Sequence, residues 1–127
     1  MCGVRIVDLP REFSRRGDVS VMSLLPETGY FEVHQEVSER LISEALRLDR
    51  ERLRDWFTFS ESKRANFGWY IEKGSLGDYV VGRLAEDASA NRRLRYQNDV
   101  EAFAAFIKRE LESMRILNDG ERMGEDF

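Results

Sequence analysis

Asn66-Phe67-Gly68-Trp69-Tyr70-Ile71-Glu72-Lys73-Gly74-Ser75-Leu76-Gly77-Asp78-Tyr79-Val80-Val81-Gly82-Arg83-Leu84 decides the fold. Phe67, Trp69 and Ile71 alternate with Gly68, Tyr70 and Glu72, so side chains divide between two faces with a period of two. The glycine-containing run 73–78 reads as a turn, and residues 79–84 return as a second strand. The prediction is an antiparallel hairpin. After the polar stretch 86–91, Arg92-Arg93-Leu94-Arg95-Tyr96 reads as a third strand at the sheet edge, with Leu94 and Tyr96 facing away from Arg93 and Arg95. Charges on an edge strand discourage uncontrolled pairing with other chains.

Helical periodicity flanks this block on both sides. Asn98 and Glu101 have the spacing of a capping box, and Val100, Phe103, Ile107, Leu111 and Met114 then recur along one helical face, with Ala104 completing it. Asn118-Asp119-Gly120 is expected to end that helix and leave a flexible tail over 118–127. On the N-terminal side, Ser38 is a natural N-cap for a helix carrying Leu41, Ile42, Ala45 and Leu46. Asp49 can cap a second helix whose face is Leu53, Trp56 and Phe57, and the two helices can also run together with a kink. Residues 4–9 suggest a short strand stopped at Pro10, so residues 1–20 are read as a peripheral arm. The whole is a single α+β domain over 1–127: N-terminal helices, an antiparallel sheet of about three strands, and a C-terminal amphipathic helix packed on the sheet.

Composition narrows the class. A chain of 127 residues is long enough for one core without disulfides or a structural metal. No apolar run approaches the roughly 20 residues that span a bilayer, and the N-terminus lacks a secretory pattern, so a cytoplasmic protein without a membrane partner is expected. Cys2 is the only cysteine and His34 the only histidine, which leaves neither a zinc set nor a nucleophile and base in sight. No catalytic residue, metal ligand or cofactor is assigned. Glu36, Glu39 and Glu44 read as solvated carboxylates, and Gly74-Ser75-Leu76-Gly77 lacks the lysine and hydroxyl ending of a phosphate loop. The formal net charge of −4 works against general binding of a phosphate backbone.

Binding residues are a better prospect. Lys63, Arg64, Arg92, Arg93 and Arg95 are five cations that can converge at one edge of the sheet. They suit an acidic protein partner, or single-stranded nucleic acid with Tyr70 or Tyr96 as stacking surfaces. Salt-paired edge residues are the plain alternative. Tyr30 and Phe31 follow a glycine turn and form either a core plug or an exposed contact patch. Trp56 and Trp69, among Phe57, Phe59, Phe67 and Ile71, belong to the core.

The ordered set Leu24-Leu25, Gly29-Tyr30-Phe31, Trp56, Ser60-Glu61-Ser62-Lys63-Arg64, Gly68-Trp69-Tyr70, Tyr79-Val80-Val81-Gly82, Tyr96 and residues 101–111 resembles a family of small bacterial α+β domains without assigned biochemistry. The resemblance covers about residues 23–114 and transfers no catalytic residue. It implies a role like that of immunity proteins, which neutralise a toxin by direct contact. The expectation is a non-catalytic protein-binding module. A nucleic-acid-associated regulator using the arginine-rich edge, and a small enzyme with a carboxylate site, are the alternatives.

Overall fold

The computed structural model describes residues 6–16, 25–62, 68–74, 76–84 and 92–125. In chain order these form a 3-10 turn Ile6–Asp8, helix α1 (Leu9–Arg16), a 3-10 turn Leu25–Thr28 and the single helical turn α2 (Tyr30–Val33). Helices α3 (Glu39–Leu48) and α4 (Glu51–Ser62), strands β1 (Gly68–Lys73), β2 (Tyr79–Leu84) and β3 (Arg92–Tyr96), and helix α5 (Asp99–Glu125) follow. The α+β architecture predicted from the sequence is the observed one.

Helix α5 is the axis of the fold. Asn98 Oδ1 accepts from the Glu101 N–H at 3.0 Å and Asp99 Oδ1 from the Val100 N–H at 2.7 Å, while Asp99 and Glu101 place negative charge where the helix dipole favours it. Val100, Phe103, Ala104, Ile107, Leu111 and Met114 are buried, as their spacing predicts. Ala102, Ala105 and Phe106 are buried as well, so the apolar surface runs around the helix instead of along one stripe. The reason is that α3 packs on one side of α5 and all three strands on the other. The helix also continues through Asn118-Asp119-Gly120, where the sequence suggested a stop. A glycine in a helix interior costs about 1 kcal/mol relative to alanine, which weakens a helix without forcing its end.

The sheet has order β1-β2-β3 and is antiparallel throughout, with Ile71 opposite Val81 and Val81 opposite Leu94. Alternation puts Trp69, Ile71, Tyr79, Val81, Leu94 and Tyr96 on the face toward α5. Ile71 and Val81 are buried there, and Tyr79 meets Phe103 edge-on with centroids 5.6 Å apart. Gly77 in the β1–β2 turn has φ 86°, a conformation that favours glycine.

Residues 6–16 are neither a strand nor a peripheral arm. Pro10 sits in the first turn of α1, where its missing N–H removes no helical hydrogen bond. Val7 and Leu9 enter the core, and the Trp56 indole N–H donates to the Val7 carbonyl at 3.0 Å. Beside them Arg52, only 8% exposed, is hydrogen-bonded through Nε to Asp8 and ion-paired with Asp49 at 3.2 Å and Asp55 at 3.5 Å. A buried guanidinium needs such partners, because an uncompensated buried charge costs several kcal/mol. Ser38 caps α3, its hydroxyl accepting from the Leu41 N–H at 3.2 Å. Ile42 and Leu46 are buried, whereas Leu41 is half exposed. Asp49, at φ −147° and ψ 78°, separates α3 from α4, so these are two helices and not one kinked helix.

Candidate functional site

The two edges of the sheet are treated differently. On the β1 side, α4 lies alongside the strand, and the Ser60 hydroxyl accepts from the Ile71 N–H at 3.0 Å and donates to the Ile71 carbonyl at 3.3 Å. The Ile71 peptide groups therefore point away from β2. In an antiparallel ladder opposed residues either face each other or both face away, so Val81 must turn its N–H and carbonyl toward β3 and bond Leu94. It follows that Arg93 and Arg95, one place to either side of Leu94, turn theirs outward, away from β2, to an edge that pairs with no other strand among the described residues. Among the described residues no hydrogen bond reaches those backbone groups.

The same two arginines also occupy the outer face of the sheet. One row across that face is Tyr70, Gly82 and Arg93, and the next is Glu72, Val80 and Arg95. The Tyr70 ring lies directly over Gly82, in space that a Cβ would fill. Arg95 pairs with Asp78 at 3.1 Å, although its side chain remains 70% exposed. Arg93 is exposed and has no acidic partner among the described residues. Val80, between Glu72 and Arg95 in the second row, is buried.

Below the β3 edge, on the inner face, a cleft of about 500 Å³ opens between α3 and the start of α5. Tyr96, Ser43 and Ala104 line it together with the cations Arg40 and Arg47 and the carboxylates Glu39 and Glu101. The exposed side chain of Leu94 shares the inner face with Tyr96. Tyr96 thus faces the helices and offers no stacking surface beside Arg93 and Arg95; Tyr70 alone of the two tyrosines lies on the arginine face.

Other sequence-predicted residues take different places. Lys63 and Arg64 lie outside the described residues, and Arg92 belongs to β3 with its side chain outside them. Tyr30 is fully buried, so it is a core plug and not a surface anchor; Phe31 is partly buried against the core. The Tyr30 hydroxyl donates to Glu112, and Lys108 Nζ donates to that hydroxyl and to the His34 carbonyl, both at 2.8 Å. Burial first, then the bond to Glu112, holds the phenol well above its ordinary range. The Arg115 hydrogen bonds, reinforced by Tyr30 and Lys108, hold the Glu112 carboxyl down at about 2, while burial lowers Lys108. General acid–base work needs a pKa near the working pH, and both Tyr30 and Glu112 are pushed away from neutrality. This cluster pins α2 to α5. Its i, i+4 and i, i+3 spacing over Lys108, Glu112 and Arg115 was visible in the sequence, but its tie to Tyr30 was not.

Glu39 pairs with Arg109 at 3.1 Å and Glu44 with Arg40 at 3.5 Å, and Glu36 is exposed. Among the described residues no group of three or more histidine, cysteine or carboxylate side chains is placed to hold a metal, and no helix is long and apolar enough to cross a membrane. Comparison with family models, with curated proteins and with solved structures found no match.

Proposed function

We propose that this chain is a non-catalytic protein-binding module that uses the outer sheet face and the β3 edge as its contact surface. The observation that carries this reading is the row Tyr70, Gly82 and Arg93, in which a tyrosine ring is held against the backbone next to an exposed arginine. Tyrosine and arginine are over-represented among residues that dominate interface energies, and a ring already seated on glycine loses little freedom on binding. The specific form of the reading is an immunity-type protein that blocks a toxin by direct contact. What supports this form is the resemblance in the sequence, to which the surface adds a place for the contact.

A nucleic-acid regulator is the weaker reading. Glu72 shares the arginine face, Asp78 already pairs with Arg95, and the chain carries a net charge of −4, so the field over this surface is mixed.

Affinity capture from the cell of origin, followed by reconstitution with the purified partner, tests the proposal. A one-to-one complex without turnover is expected. Tyr70→Ala combined with Arg93→Glu should weaken it by about tenfold or more. Equal affinity in this double variant would remove the surface from the contact, and the absence of any stoichiometric protein complex would overturn the reading. Oligonucleotide binding that falls steeply with salt would transfer the surface to nucleic acid.

A further inference from the structure

We propose that the partner contributes an extended segment that adds to β3 as a fourth, antiparallel strand, with acidic residues flanking an apolar one in the order acidic, apolar, acidic. This rests on the protein-binding reading above and specifies the chemistry of what is bound.

The edge supplies the first argument. Ser60 occupies the β1 edge at Ile71, whereas the outward N–H and carbonyl groups of Arg93 and Arg95 offer two donors and two acceptors at the spacing of a strand. Strand addition draws affinity from such main-chain groups and specificity from the alternate side chains. A residue opposite Arg93 and another opposite Arg95 would each exchange both hydrogen bonds with its arginine. Their side chains would lie on the outer face, directly beside the guanidinium groups.

Charge selects the occupant. Opposite charges across adjacent strands attract and like charges repel. Arg93 lacks an acidic partner among the described residues, and Arg95 remains accessible beside Asp78. Carboxylates at the two outer positions complement both. A second copy of this chain fits poorly, because antiparallel pairing of β3 with itself about Leu94 would set Arg93 of each copy against Arg95 of the other. The residue between the two acids falls on the inner face beside exposed Leu94, which favours an apolar side chain. The inner position just before the first acid lies opposite Tyr96 and reaches the cleft there.

A short fluorescein-labelled peptide with a central Glu-Val-Glu is the probe, titrated into the full chain. Binding is expected to weaken by about tenfold or more when both glutamates are replaced by lysine, and equally when both glutamate backbone nitrogens are methylated. The methylated peptide leaves the protein unchanged and keeps every side chain, so it isolates the main-chain bonds. Arg93→Glu should lose the parent peptide and recover affinity for Glu-Val-Lys, since the third residue of an antiparallel strand lies opposite position 93. Undiminished binding of the methylated peptide would overturn strand addition, as would tighter binding of a single-stranded oligothymidylate. Amide hydrogen exchange on the reconstituted protein complex separates the two readings. Protection of the Arg93 and Arg95 amides supports strand addition. A one-to-one complex that leaves them unprotected would overturn this inference alone, and failure to form a complex would overturn the protein-binding reading beneath it.

Discussion

The Ser60 hydroxyl satisfies both peptide groups of Ile71, accepting at 3.0 Å and donating at 3.3 Å, so a side chain of α4 takes the place of a neighbouring strand. Ser60 and Ile71 are both buried, so water is a poor substitute. Ser60→Ala is expected to destabilise the fold by about 1–3 kcal/mol, the range for leaving a buried polar group unsatisfied. Chemical denaturation measures this. A loss below about 0.5 kcal/mol would show that the Ile71 groups find other partners.

Gly82 and Tyr70 form a second coupled pair. A Cβ at position 82 would collide with the Tyr70 ring, whose far end must then swing away from the sheet. Gly82→Ala should cost about 1–3 kcal/mol as an overpacking change, and Tyr70→Ala made in the same chain should cancel most of that penalty. Additive losses in the double-mutant cycle would mean that the backbone, not the ring, resists the methyl group.

The two tryptophans should separate in stability. Trp56 is fully buried, meets Phe59 and Phe106 edge-on, and donates to the Val7 carbonyl. Trp56→Ala is expected to cost about 3–5 kcal/mol. Trp69 lies at the rim of the inner face, partly exposed beneath the Arg109 guanidinium, whose Cζ is 5.4 Å from the ring centroid. Its truncation should cost less than that of Trp56, because part of its apolar surface already faces water and the cation–π contact adds only about 0.5–1 kcal/mol. Equal losses in urea unfolding would place Trp69 in the core.

The hairpin, the third strand and α5 were legible because each rests on local information: alternation, a glycine turn and a capping pattern. The placement of residues 6–16 was not. Val7 and Asp8 find their partners at Trp56 and Arg52, more than forty positions away, and no local pattern announces such a pairing. For the same reason Tyr30 could be read as plug or patch until Lys108 and Glu112 were seen to satisfy its hydroxyl. Within the candidate surface, the opposite facing of Arg93 and Leu94 followed from alternation. Which strand edge is open did not, since it depends on the Ser60 contact and on the phase of hydrogen bonding through β2.

The Glu112 cluster sets an acid limit on stability. Arg115 Nε and Nη2 donate to Glu112 at 3.1 and 2.9 Å, Tyr30 donates to it, Lys108 Nζ lies at 3.8 Å and His34 Nδ1 at 3.9 Å. The Arg115 hydrogen bonds first, then Tyr30 and the Lys108 charge, lower the folded-state value from an ordinary 4.5 to about 2 against the opposing effect of burial. A carboxyl with a depressed folded pKa favours the folded state in its charged form. That contribution is complete above pH 4.5, declines as the unfolded chain takes up a proton more readily, and is gone below about pH 2. Glu112→Gln keeps an acceptor for Tyr30 but removes the charge. The variant should therefore melt below the wild type at neutral pH, with a gap that stays constant down to about pH 5 and closes between pH 4.5 and 2. Thermal melts across that interval decide the matter: a gap independent of pH would mean that Glu112 contributes through packing and hydrogen bonding instead of through its charge.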